Sequence, residues 1–155
     1  MNKALIFLTS LLMFSTNTYA EGEMDGWYTA KNGSYLVQEM IYGYGYAELA
    51  NSMNNKPHIY MFFFDPEGCK KIGTEILTHN PIYINKKLVR FSQNCVDDRH
   101  MFYATTDEGN DYIIKQFLKS DVVEYRPYDS EIKYLFSAKN FKEIFTHFID
   151  QDSGI

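Results

Sequence analysis

The chain holds two cysteines, Cys69 and Cys95, and its densest strand signals lie just before and between them. His58-Ile-Tyr-Met-Phe-Phe-Phe64 is a run of β-formers that stops at Asp65-Pro66-Glu67-Gly68, a turn signal. Ile82-Tyr83-Ile84 and Leu88-Val89-Arg90-Phe91 flank Asn85-Lys86-Lys87 and predict a hairpin. A Cys69–Cys95 disulfide would tie the end of one strand to the end of another, so any fold must bring those ends together. In the chain-entropy account, closing a loop of about 26 residues removes about 3–4 kcal/mol of freedom from the unfolded chain.

Whether the bridge forms depends on the compartment, and the N-terminus speaks to that. Met1-Asn2-Lys3 carries one positive side chain, Ala4 to Phe14 is apolar except for Thr9 and Ser10, and Thr18-Tyr19-Ala20 offers small residues at a cleavage position. Residues 1–20 therefore read as a cleaved secretory signal. The apolar run, about eleven residues, is short of the about twenty that a membrane span needs. Cleavage leaves Glu21 to Ile155 as one domain on the oxidising side of a membrane, periplasmic or secreted, where a disulfide persists. No later segment is long and apolar enough to insert into a bilayer, and a single lysine in the leader suits a bacterial source.

Trp27 to Lys31 and Ser34 to Tyr42 flank Asn32-Gly33, the dipeptide that a type I′ hairpin turn demands because both central residues take positive φ. Tyr42-Gly43-Tyr44-Gly45-Tyr46 follows. An extended backbone there sets Tyr42, Tyr44 and Tyr46 on one face and both glycines on the other, a tyrosine-lined binding surface that another molecule can approach closely. The plainer alternative is a loop or bent strand whose rings cover the core. Ala47 to Met53 fits one helical turn, and Asn54 to Pro57 a loop. Lys70 to Pro81 is ambiguous, because Gly73 weakens a helix and Asn80-Pro81 ends whatever precedes it. Asn94 to His100 reads as a polar connection, and Met101 to Ala104 as a short strand.

Two helices are well marked. Thr105-x-x-Glu108 fits a capping box, and Tyr112, Ile113 and Phe117 continue it as an apolar stripe. Ser137 is the expected N-cap of a last helix whose Phe141, Ile144, Phe145 and Phe148 follow the i, i+3, i+4, i+7 pattern. Between them, Val122 to Tyr125 and Ile132 to Phe136 read as strands. This order predicts an α+β fold, an antiparallel sheet built from hairpins with two amphipathic helices packed on it. The alternative is a small β-barrel with a C-terminal helix.

The chemistry is mostly exclusion. Removing Lys3 with the signal leaves 14 basic against 20 acidic residues. That balance, without a Lys/Arg cluster, speaks against nucleic acid and against an anionic membrane surface. His58, His79, His100 and His147 stand far apart and form no metal-ligand spacing, and Asp97, Asp98 and His100 beside Cys95 read as a solvated loop before they read as a site. There is no G-x-S-x-G, P-loop, dinucleotide turn or C-x-x-C, so no cofactor and no enzymatic activity is expected. The leading expectation is an exported binding protein that holds another protein, basic in character, through tyrosine-rich surface. Its size, single cysteine pair and acidic balance are similar to those of small exported inhibitors and immunity proteins. An accessory subunit of a bacterial envelope assembly and a small hydrolase with a non-local active site are the alternatives.

Overall fold

A computed structural model describes residues 25–152, so the expected secretory signal, residues 1–20, lies outside the described residues. Nine strands follow one another as β1 (Tyr28–Thr29), β2 (Tyr35–Gln38), β3 (Gly45–Asn51), β4 (Pro57–Phe64), β5 (Leu77–Ile84), β6 (Lys87–Val96), β7 (Arg99–Ala104), β8 (Val122–Pro127) and β9 (Tyr134–Ser137). Helix α1 (Pro66–Ile72) sits between β4 and β5, α2 (Asp107–Lys119) between β7 and β8, and α3 (Phe141–Asp152) after β9. The strands form one sheet in the order β1-β2-β3-β4-β7-β6-β5-β8-β9, with antiparallel pairing throughout.

The sheet curls into a half-barrel because its inner face is apolar from one edge to the other. Val37, Ala47 and Met61 stand in register across β2, β3 and β4, and Ile84, Tyr125 and Tyr134 do so across β5, β8 and β9. Burying that face bends the two edges toward each other. Glu39, just past β2, bridges to Phe136 of β9, and the Met40 amide donates to the Leu135 carbonyl at 2.8 Å. One end of the enclosed space is filled by α2 and α3. There Trp27, Phe117 and Phe141 pack with ring centroids 4.8 to 5.2 Å apart, above Ile113, Val123 and Ile59. The architecture fits both the α+β expectation and the barrel alternative.

Asn110 explains how α2 is seated. The last pair between β4 and β7 is Tyr60 with Tyr103, so β4 runs on without that neighbour. The buried Asn110 side chain takes its place, accepting from the Ile59 amide at 3.0 Å and donating to the Pro57 carbonyl at 2.8 Å. A buried ladder edge is thereby satisfied by a helix side chain.

Several local expectations give way. Asp65-Pro66 is an N-cap and N1 pair that starts α1, with the Asp65 carboxylate accepting from the Gly68 amide at 2.9 Å, where a turn was expected. Residues 47–51 are strand, because their alternation places Ala47 and Leu49 inward. The cap of α2 is Thr106, one residue later than expected, while the Thr105 hydroxyl meets that of Ser92. Ser137 belongs to β9, and α3 begins at Phe141. Asn32-Gly33 makes a longer loop in which Gly33 alone has positive φ, so the hairpin is present but its turn is not type I′. Asp97 and Asp98 both take positive φ and close a tight hairpin between β6 and β7. Asn80-Pro81 does not end β5 but sits at a bulge between His79 and Ile82.

Candidate functional site

The end of the half-barrel opposite α2 and α3 is open. Antiparallel order brings to it the start of β3, the end of β4, the starts of β5, β7 and β9, and the end of β8. Those ends are aromatic. Phe63 touches Tyr134 at 4.6 Å and Phe102 at 6.0 Å between centroids, and Phe102 in turn meets the rings of His100 at 4.2 Å and His79 at 4.9 Å. The chain of rings surrounds a cavity of about 370 Å³, floored by Met61, Ile82 and Tyr125 and rimmed by Tyr44, Phe64 and Pro127.

Gly45 makes room for this wall. A Cβ there would stand 2.6 Å from the Phe63 ring and 2.9 Å from the Phe62 carbonyl oxygen, so only glycine lets the Phe63 ring lie across β3. Glu39 shapes the neighbouring rim. Its buried carboxylate accepts four backbone N–H groups, those of Ile41 (2.9 Å), Tyr42 (2.6 Å), Gly43 (3.0 Å) and Leu135 (3.1 Å). The loop at 40–44 is thus wound around one anion, with Gly43 at φ 69°.

The polar groups of the cavity are few. Asp65 is the one charged side chain among the lining residues, which include no lysine or arginine. Its Oδ2 stands 3.7 Å from His100 Nδ1. The other His100 nitrogen, Nε2, lies 2.8 Å from Gln93 Oε1, and His79 Nδ1 lies 2.6 Å from the Asn80 carbonyl. Burial lowers the pKa of both histidines below the ordinary value, with Asp65 partly opposing this at His100. Tyr125 is 1% exposed, its hydroxyl has no hydrogen-bond partner, and burial pushes its phenol pKa up. The bridge between Cys69 and Cys95, with Cα atoms 5.5 Å apart, fastens α1 to β6 and so holds Asp65 at the rim.

The three expected binding tyrosines separate. Tyr42 packs edge-on against Tyr134 at 5.8 Å, and Tyr44, 78% exposed, lines the mouth. Tyr46 lies on the convex face, stacked on Phe62 at 5.0 Å. The bend at 40–44 is what divides them, since Tyr46 already belongs to β3. Strand alternation marks inward positions without saying which strand ends meet, so Asp65, His79, Phe102, Tyr125 and Tyr134 carry no site signal in the sequence, while His100, which the sequence sets beside Asp97 and Asp98, lines the cavity without them. Asp97 and Asp98 occupy the β6–β7 turn. Among the described residues, no group of three or more His, Cys, Asp or Glu is placed to hold a metal ion, and no helix is long and apolar enough to cross a membrane.

Comparison with known protein families, with characterised proteins and with solved structures finds no match for this chain.

Proposed function

We propose that this is an exported binding protein and that it holds a small, largely apolar, ring-sized ligand in the mouth of the half-barrel. The observation that carries this reading is the cavity itself. Its volume, about 370 Å³, falls within the range of about 300–1,000 Å³ typical of ligand pockets, and its walls are mainly aromatic with a few polar atoms. The lining includes no serine, threonine, cysteine or lysine, and its apolar, aromatic character favours binding. The disulfide and the leader segment support export.

A ligand-observed NMR screen of one- and two-ring molecules tests the reading. Hits should compete with one another and lose binding in Phe63→Ala and Tyr134→Ala. Hits indifferent to both variants would sink it.

A protein partner is the second reading, favoured by Met40, Ile41, Tyr42 and Tyr44, all at least 45% exposed along one loop beside the cavity. A basic partner suits the acidic balance of the chain. Affinity capture from periplasmic extract at low and moderate salt separates the two: a salt-sensitive basic protein lost from an Ile41→Ser, Tyr44→Ser variant supports the second reading.

A further inference from the structure

We infer that the ligand of the mouth cavity is an organic cation, a protonated amine on an apolar, ring-sized body. This rests on the cavity being the binding site and adds the sign of the charge it takes.

At the mouth, two acceptors that cannot satisfy each other stand face to face. The Asn80 carbonyl only accepts, so His79 Nδ1 carries the proton of that 2.6 Å contact and the neutral ring leaves its Nε2 as a lone pair. Gln93 favours the opposite tautomer at His100. Gln93 Nε2 donates to the Thr78 carbonyl at 3.4 Å, which turns Gln93 Oε1 toward His100 and makes His100 Nε2 the donor at 2.8 Å. The remaining His100 nitrogen, Nδ1, is then an acceptor, and it faces Asp65 Oδ2, also an acceptor, at 3.7 Å. Burial outweighs the charge and hydrogen bonding of Asp65 and so disfavours the alternative of protonating His100. A donor group entering between them satisfies both atoms.

Two further observations agree on the sign. Asp65 is the sole charged side chain of the lining. Phe63, Phe102 and Tyr134 line the same cavity, and aromatic rings are the side chains on which a partly desolvated ammonium is stabilised. An anionic ligand finds no compensating charge in this lining and faces the Asp65 carboxylate.

The test is an NMR titration of the oxidised protein at pH 7.5 with three one-ring probes of matched shape: phenethylamine, phenethyl alcohol and phenylacetate. Phenethylamine should bind about tenfold tighter than the alcohol, and phenylacetate more weakly than either, all shifting Met61 and Ile82 signals. Asp65→Asn, which keeps the cap of α1, should bring the amine to the level of the alcohol and leave the alcohol unchanged. His100→Phe, which keeps a ring and removes the Nδ1 acceptor, should weaken the amine alone. Equal binding of the three probes in the cavity, or tightest binding of phenylacetate, overturns the cationic ligand and leaves the cavity as a binding site. No shift of Met61 or Ile82 with any probe overturns both.

Discussion

Glu39 is the residue on which closure of the half-barrel turns. A buried carboxylate is costly unless its oxygens are bonded, and here four amides from two separate chain segments converge on it. Glu39→Ala removes the acceptor and strands the four donors, so it should lower unfolding free energy by about 3 kcal/mol or more in urea. A loss under about 1 kcal/mol would mean that water replaces the carboxylate without penalty. Gly45 carries a different kind of necessity. Gly45→Ala should cost about 1–3 kcal/mol through overpacking and push the Phe63 ring toward the cavity, seen as reduced uptake of ring-bearing ligands. Neither role can be read from a residue in isolation: Glu39 stands in an otherwise strand-like run, and the ring that needs Gly45 comes from another strand.

Among the elements, strands and helices with strong local patterning were legible, and their partners were not. The β5–β6 hairpin, the α2 stripe and the α3 pattern all carry period or turn chemistry within about a dozen residues. Residues 47–51 looked like a helical turn because alternation of small and large residues is weak there, and pairing with β2 and β4 decides the outcome. Helix α1 was hidden in what reads as a turn, Asp65-Pro66-Glu67-Gly68, because the same residues start turns and cap helices. The disulfide is legible because a cysteine pair behind an expected secretory signal carries its own prediction. Reducing it, or replacing Cys69 with Ser, should cost about 3–4 kcal/mol by loop entropy. It should also release α1 first, since that helix is only seven residues long and is fastened to β6 by the bridge. Amide exchange of residues 66–72 that matches the oxidised protein after reduction would contradict this.

At the scale of the whole molecule, the site was illegible because the curl of nine strands makes it. Its lining comes from the loop before β3, from β4, β5, β7, β8 and β9 and from the residue before α1, and no sequence spacing encodes that convergence. The same curl buries imidazoles and so ties stability to pH. His58 lies beneath Tyr60 and Tyr103 with Asp107 and Asp111 nearby, His79 faces Phe102 and His100, and His100 faces Asp65 and Gln93. Burial lowers all three pKa values below 6.5. The unfolded chain therefore binds more protons in that window, and the contribution of these groups is fully present above about pH 6.5 and lost as pH falls through the lower folded values. The melting temperature should be level above about pH 7 and decline below about 6.5, with a shallower decline in a His79→Gln, His100→Gln double variant.

The methyl groups of Met61 and Ile82, which floor the cavity, report where a ligand sits. With those methyls isotope-labelled and a ring-bearing ligand added, intermolecular NOEs should connect the ligand ring to both. NOEs confined to Met40 and Ile41 on the exposed loop, with Met61 and Ile82 silent, would place binding outside the mouth and contradict the account.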